Sequence, residues 1–554
     1  MVTRSHRRFN SVKIIAGLFL LFICPEWHIS AQEPAWNYFY RVYFRDKGEN
    51  NINSFSLRDL FTERAVERRW KMGQTSPDFR DIPVSSGYIR QITALGLKLH
   101  CKSRWLNTAL FKSTSPVDVN KLLNLPFIAE VQAVKHPMGK SIPSDKLRFE
   151  LTQSGPLSFD RPVSMLNGIT VHNSGFTGRG ILIAVLDGGF TNADKISSLE
   201  ELRNRNGIIT TLDVVGNSDF VYSYHGHGTA VLSVLAGNIS GSIEGSAPGA
   251  DFCLIRTEDV SSEFPVEEDF WVAGAEFADS LGADIISSSL GYFTFDDPLL
   301  DNKFSDMDGN TTFVTKGADI AASRGILTVC SAGNERNNSW VHIIAPSDGD
   351  SVLAIGAVDG NMAISSFSSS GPSYDRRVKP DVVAQGVSVP VQVSASSVDR
   401  SSGTSFSCPV ISGMCACIMQ AVPEATSADI ISALHEASDR FHLPDSLYGY
   451  GIPDITLAIK LLQERLLILP ENGSVLYPNP FNDLIKITFR ESPSNLTVEI
   501  FDASGRLINK AVYKEYISRS VTLDAFREFP AGIYFIRIIT TDGTTLHKAI
   551  KIRN

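Results

Sequence analysis

The sequence predicts an α/β protein. A three-layer α/β/α domain with a parallel sheet is preceded by a small α+β domain and followed by an all-β sandwich. Three observations lead there. Between about residues 160 and 464, short apolar runs alternate with helical patterns. Ahead of that region, strand-like and helix-like stretches are mixed. After residue 475, strands follow one another with turn signals and no helical pattern between them.

Taken in order, residues 1–31 read as an export signal. Arg4, Arg7, Arg8 and Lys13 make a basic start, and Ile14 to Ile23 is an unbroken apolar run. As a helix that run spans ~15 Å, short of the ~30 Å hydrocarbon core of a bilayer. Ser30 and Ala31 supply the small residues of a cleavage site. Cys24 follows the bulky Ile23, where a lipoprotein signal needs a small residue. A membrane-anchoring helix is the alternative, and no later segment reads as long and apolar enough to span a membrane.

Residues 32–148 form the small domain. Tyr40 to Phe44 is strand-like, Leu57 to Lys71 a charged helix-like stretch, and Tyr88 to Leu95 a second helix. Strands follow around Leu97 to Leu110, then a helix at Val117 to Leu123 and a strand at Ala129 to Val134. That alternation suits a ferredoxin-like α+β unit. Lys140 to Arg161, polar and holding several Ser and Pro, reads as a linker.

Residues 160–464 form the central domain. Its β-rich runs are Ile181 to Leu186, Ala283 to Ser287, Ile326 to Cys330 and Val352 to Gly356, with a helix at Val266 to Asp279 among them. Continuous apolar strands separated by helices imply a sheet buried on both faces, whose sites lie at the carboxyl ends of the strands. Residues 475–554 carry strands at Leu484 to Phe489, Leu496 to Phe501, Val521 to Leu523, Ile533 to Ile539 and Lys548 to Ile552. They read as an antiparallel sandwich.

Composition limits the function classes. With 51 Lys+Arg against 60 Asp+Glu the net charge is -9, so no electrostatic footprint for nucleic acid or an anionic membrane is present. Seven cysteines in 554 residues do not make a disulfide scaffold. Cys415 and Cys417 lie two apart on an expected helix and cannot pair with each other. Most cysteines read as small buried residues.

Three motifs carry chemistry. Val185-Leu186-Asp187-Gly188-Gly189 puts an aspartate at the end of a buried strand. His225-Gly226-His227-Gly228-Thr229 puts a histidine at a helix start. Gly403-Thr404-Ser405-Phe406-Ser407-Cys408-Pro409 puts a serine at a Gly-led turn into a helix. Singly, Asp187 reads as well as a turn residue; together the three have the order Asp, His, Ser, one of the known orders of a hydrolytic triad. His227 rather than His225 is the expected base, because Gly-Thr follows it.

On these motifs the central region resembles the subtilisin-like serine proteases, the subtilases. The resemblance implies that Ser405 is the nucleophile, His227 its general base and Asp187 the group that orients the imidazole. Ser331-Ala332-Gly333-Asn334 resembles the oxyanion segment, with Asn334 as a donor beside the Ser405 N–H. Ser289-Leu290-Gly291 resembles the substrate-binding strand, so Ser289, Leu290, Gly291, Ser331, Ala332 and Gly333 are expected to line the substrate site. Ser369 to Pro372, Lys379 to Ala384 and Gly449-Tyr450-Gly451 resemble three further family stretches.

The expected reaction is hydrolysis of peptide bonds in protein or peptide substrates. A silent peptide-binding fold and a peptide-ligating enzyme remain as alternatives. No cofactor is implied. Structural calcium is left open: Asp306-Met307-Asp308-Gly309-Asn310 begins like a calcium loop but has Gly317 where an EF-hand needs glutamate, so no metal is assigned.

The flanks resemble known companions. The N-terminal domain resembles a subtilase propeptide, which implies a prosegment that acts as inhibitor; a permanent accessory domain is the alternative. Tyr477-Pro478-Asn479-Pro480-Phe481-Asn482, Val498 to Asp502, Gly505-Arg506-Leu507 and Gly532 to Phe535 resemble the type IX secretion sorting domain. That implies passage across the outer membrane of a Bacteroidetes-type bacterium through its secretion machinery. The alternative is a carbohydrate- or protein-binding sandwich.

Overall fold

The computed structural model describes residues 37–138, 146–147, 149–153, 161–395, 397–467, 474–477, 479–481, 484–489, 492–514, 520–523, 525–541 and 543–552. The export signal lies outside them, as do most of the linker, Pro478 and Asn482.

Seven parallel strands form the central sheet. From one edge to the other they are Val382–Gln385, Val352–Val358, Leu327–Ser331, Ile285–Ser288, Leu182–Asp187, Asp251–Arg256 and Ile208–Asp213. Side chains alternate between faces. Ile183 and Val185 enter a core shared with the helices His227–Ala236 and Thr404–Ala421; Leu182, Ala184 and Leu186 enter the opposite core, shared with Val266–Leu281 and Phe313–Ser323. This is the three-layer arrangement expected. Three of the strands, Ile208–Asp213, Asp251–Arg256 and Val382–Gln385, were not singled out by the apolar-run pattern. Ile208–Asp213 is an edge strand with half-exposed threonines, so it lacks an apolar run to read.

Thr404–Ala421, with 18 residues, is long and apolar enough to cross a membrane by length and composition. This corrects the expectation that no later segment would be. Within the fold it is a core helix, since 83% of it is buried against the sheet and its neighbours.

The N-terminal domain has an antiparallel four-stranded sheet in the order Lys98–Ser103, Thr108–Ser113, Tyr38–Phe44, Ile128–Lys135. The charged stretch from 57 to 71 is two helices, Leu57–Leu60 and Glu63–Lys71. Thr62 divides them: its backbone is extended and its side chain accepts the Ala65 N–H, capping the second helix.

The sheet docks on Val266–Leu281, where Phe39 meets Phe270 edge-on. Around that contact the interface is ionic. Arg41 binds Asp269 at 2.6 Å, Arg69 binds Asp279 at 2.6 Å, and Arg68 also binds Asp279. Glu276 accepts from Ser103 Oγ at 2.5 Å and from the Trp105 N–H at 3.1 Å.

The C-terminal domain is two antiparallel sheets. One holds Ser474–Tyr477, Ile485–Phe489 and Ser520–Leu523; the other holds Leu507–Lys514, Asn495–Asp502, Gly532–Thr540 and Gly543–Lys551. Leu507–Lys514, unpredicted as a strand, exposes alternate residues and holds charges and Asn. The six described cysteines are free thiols, five of them buried. Burial pushes the thiols of Cys253 and Cys408 up to about 12, so they behave as packing groups, as expected.

One buried cluster fastens the sheet edge that ends near the site. Asp381 accepts the Ala354 N–H at 2.8 Å and binds Lys379 Nζ at 2.7 Å and His435 Nε2 at 3.1 Å. The turn at Gly449-Tyr450-Gly451 clamps the same strand, with the Tyr450 N–H on the Asp381 carbonyl at 2.7 Å and the Val383 N–H on the Gly451 carbonyl at 3.0 Å. Burial alone would raise the Asp381 carboxyl, but Lys379 and His435 outweigh it and hold the group below its ordinary value. Asp381→Asn is therefore expected to destabilise the folded chain by about 3–5 kcal/mol in denaturant titration at neutral pH. Because the folded carboxyl titrates below the ~3.9 of an unfolded aspartate, the contribution is complete above that value and fades as pH falls through the folded pKa. The gap between wild type and variant should close in acid.

Candidate active site

The topology creates the site. Leu182–Asp187 and Ile285–Ser288 are neighbours, yet the chain leaves the first strand toward one edge of the sheet and continues from the second toward the other. A crevice opens at their carboxyl ends, as at other such switch points. Asp187 closes the first strand, Ser289 follows the second, and the helices led by His227 and Thr404 start above them.

Asp187 is completely buried and accepts from His227 Nδ1 with both oxygens at 2.9 Å. Its Oδ1 also takes the Gly188 N–H at 2.7 Å. These bonds leave Nε2 as the ring nitrogen facing the cleft. Glycine makes the approach possible: a Cβ at Gly228 would lie 2.6 Å from the Gly189 carbonyl oxygen, 2.8 Å from the Phe190 ring and 2.9 Å from Asp187 Cβ. His225 takes no part in this pair; its Nδ1 accepts the His227 backbone N–H at 3.1 Å.

Ser405 is the second residue of Thr404–Ala421, in the first turn, where helix N–H groups lack intrahelical acceptors. Its Oγ donates to the Ser289 carbonyl at 3.3 Å, and Ser289 Oγ donates to the Ser405 carbonyl at 2.8 Å. Among the described residues no hydrogen bond joins Ser405 Oγ to His227. Asn334 is oriented through its Oδ1, which accepts from the Thr404 N–H at 2.9 Å and from Thr404 Oγ1 at 3.0 Å, so the amide nitrogen is left for the cleft. Ser369 holds that loop: its N–H donates to the Gly333 carbonyl and its Oγ accepts the Glu335 N–H, both at 3.0 Å. The left-handed backbone at Gly333, φ 106°, brings the loop against Ser369, and a Cβ there would sit 2.7 Å from Ser369 Oγ.

A cleft of about 370 Å³ brings together His227, Ser405 and Asn334 with Ser289, Leu290, Gly291, Ser331 and Gly333. Asp187 lies behind His227. Ala332 does not line the cleft: it is fully buried, its N–H on the Ile355 carbonyl and its carbonyl on the Ile344 N–H.

The sequence predicts an inhibitory prosegment but not which of its residues enter the cleft. Lys146, Leu147 and Phe149, from the segment after the N-terminal domain, line the same cleft. The Phe149 ring stands edge-on to His227 at 5.5 Å and to Phe406 at 6.0 Å. Farther on, Ser401 Oγ donates to the Glu150 carbonyl at 2.9 Å, and Thr152–Gln153 pairs antiparallel with Arg400 and Asp399. The described part of the segment thus lines the cleft at Lys146, Leu147 and Phe149 and is extended at Thr152–Gln153. The cleft residues Glu258, Glu263, Phe293 and Glu335 were also not anticipated; the acidic run Glu263 to Asp269 was the only signal for part of them.

Among the described residues no group of three or more His, Cys, Asp or Glu is arranged to hold a metal ion. Asp308 of the Asp/Gly-rich loop accepts the N–H groups of Asn310 and Thr311, each at 2.8 Å.

Residues 178–451 match the profile of the Subtilase family. The chain belongs to the subtilase family. Residues 39–147 match the Peptidase S8 propeptide domain of Bacteroidota, and residues 475–552 the Secretion system C-terminal sorting domain. Among curated relatives, Subtilisin E of Bacillus subtilis (strain 168) is 28% identical over 335 residues, covering 58% of this chain and 76% of the relative. Subtilisin DY of Bacillus licheniformis is 28% identical over 306 residues, 53% of this chain and 97% of the relative. Subtilisin Savinase of Lederbergia lenta is 27% identical over 299 residues, 54% and 97%. This subtilase is thus homologous to the subtilisins and carries a propeptide domain and a type IX sorting domain, which implies secretion across the outer membrane.

The close packing at Gly228 sets a test. Gly228→Ala should cost about 1–3 kcal/mol of stability by overpacking, whereas Gly226→Ala, whose Cβ would approach only Val393 at 3.8 Å, should be tolerated. Equal melting behaviour of the two variants would refute the packing account.

Proposed function

We propose that this subtilase is a secreted serine endopeptidase that hydrolyses peptide bonds through Asp187, His227 and Ser405. The observation that carries the reading is the Asp187–His227 pair facing a cleft that also holds Ser405 and Asn334. In this mechanism His227 Nε2 removes the Ser405 proton as Oγ attacks the carbonyl carbon, and later returns it to the leaving amine. Asp187 keeps the proton on Nδ1 and balances the imidazolium. The Asn334 amide and the Ser405 N–H receive the oxyanion. Water then releases the acyl group from Ser405.

In the chain described here Ser405 Oγ rests on the Ser289 carbonyl and Phe149 covers the His227 ring. We read this as the proenzyme. The N-terminal domain and the segment after it act as inhibitor, and cleavage between about Lys135 and Arg161 opens the cleft. Rotation of the serine side chain then completes the triad. The C-terminal domain delivers the enzyme to the cell surface or medium.

Fluorophosphonate should label Ser405 in the released enzyme, and Ser405→Ala should abolish labelling and turnover. Asn334→Ala should fold normally and lower kcat by about 10²–10³, the loss known for a single oxyanion donor in subtilisin. Absence of labelling in a well-folded enzyme would favour the silent, peptide-binding alternative. Product masses lacking added water would favour ligation. N-terminal sequencing of the secreted protein should find a start beyond Lys135; a start near Gln32 would refute the inhibitor role.

A further inference from the structure

Lys146 lies at the amino end of the segment in the cleft, and it is held by three glutamates of the central domain. Its ammonium is 2.6 Å from Glu258 Oε2, 2.9 Å from Glu263 Oε2 and 2.6 Å from Glu267 Oε2. Glu258 and Glu267 are almost completely buried.

The catalytic domain fixes two of these carboxylates without the lysine. Glu267 accepts the N–H groups of Asp259 at 2.8 Å and Phe264 at 3.2 Å, and Glu258 accepts from the Tyr292 hydroxyl. The cluster is also tied to the triad: Glu258 follows Thr257, whose N–H donates to the Asp187 carbonyl at 3.0 Å. Leu147, next along the segment, packs on Gly188, and Phe149 reaches His227. Among the described residues the order along the segment is therefore a cation, Lys146, an apolar residue, Leu147, and the residue beside the general base, Phe149.

Several carboxylates cannot remain ionised together in a buried site without a cation. Burial raises the Glu258, Glu263 and Glu267 carboxyls, Glu263 to about 7, while Lys146 opposes the rise. When cleavage falls beyond Lys146, the lysine leaves with the prosegment, and Glu258 and Glu263 remain in the cleft wall with the fully buried Glu267 beside them.

We infer that Glu258, Glu263 and Glu267 form a substrate subsite that selects a lysine or arginine side chain on the amino side of the cleaved bond, in the place Lys146 holds in the proenzyme. The inference rests on the cleft being a peptidase site. It deepens that reading to a substrate class: peptides with a basic residue at one fixed position upstream of the cut.

The test profiles the released, prosegment-free enzyme on a peptide library, with fluorophosphonate labelling of the same sample. One upstream position should favour Lys and Arg over Met and Gln by about tenfold or more in kcat/KM. Glu267→Gln and Glu258→Gln should each shrink that ratio; if neither variant folds, the wild-type profile decides. Labelled, active enzyme without a basic preference, or with a preference that survives both substitutions, overturns the subsite and leaves the peptidase reading standing. Enzyme that neither labels nor cleaves overturns both.

Discussion

A carboxylate taken out of water must be given a cation or several hydrogen-bond donors, because otherwise it neutralises or the fold opens. Among the described residues this subtilase meets that requirement repeatedly, and at four places the arrangement organises something larger. Asp187 is given His227 and the Gly188 N–H. Asp381 is given Lys379, His435 and the Ala354 N–H, which fastens an edge of the sheet. Asp269 and Asp279 are given arginines of the N-terminal domain, and Glu258, Glu263 and Glu267 are given Lys146.

The last two sets have a consequence that the first two lack. Asp187 and Asp381 find their partners inside the central domain, so those pairs outlast any processing. The helix Val266–Leu281 instead depends on cations from a part of the chain read as a prosegment. Interfaces of this kind give specificity and orientation more than net stability, since desolvation offsets much of the attraction. On that principle the acidic helix serves to orient the N-terminal domain against it. Arg41 and Arg69 hold the helix, Lys146 meets Glu258, Glu263 and Glu267, and Phe149 stands against His227. Processing would expose these carboxylates, and water or substrate would then take over the solvation that the prosegment supplies.

Small residues make the remaining geometry. At Gly228 no side chain fits between the helix and the end of the Asp187 strand, so the imidazole can sit over the carboxylate. At Gly333 a left-handed backbone turns the loop so that Ser369 can pin it and Thr404 can aim Asn334. Hydrogen bonds made by uncharged groups, not further ion pairs, orient the side of the cleft expected to receive negative charge.

Much of the architecture was written in the local pattern. Runs such as Ile181 to Leu186 are apolar at every position because both faces of the strand are covered, and that is visible without coordinates. Asp187 and His227 stood out because each adjoins glycine at the junction of two elements, and Ser405 because it follows a Gly-led turn into a helix, in one order along the chain. The edge strand Ile208–Asp213 and the strand Leu507–Lys514 were hidden because half-exposed strands carry polar residues. Ala332 was expected in the cleft because its neighbours line it, but alternation along the backbone turns it into the core. The local pattern marks Val266–Leu281 as a helix but not the fate of its acidic residues; the tertiary structure buries them, by bringing Arg41, Arg69 and Lys146 from more than a hundred residues earlier. Local sequence determines which way a residue faces its own element. Which charge it meets is decided by the packing of distant segments, and that is a property of the whole fold.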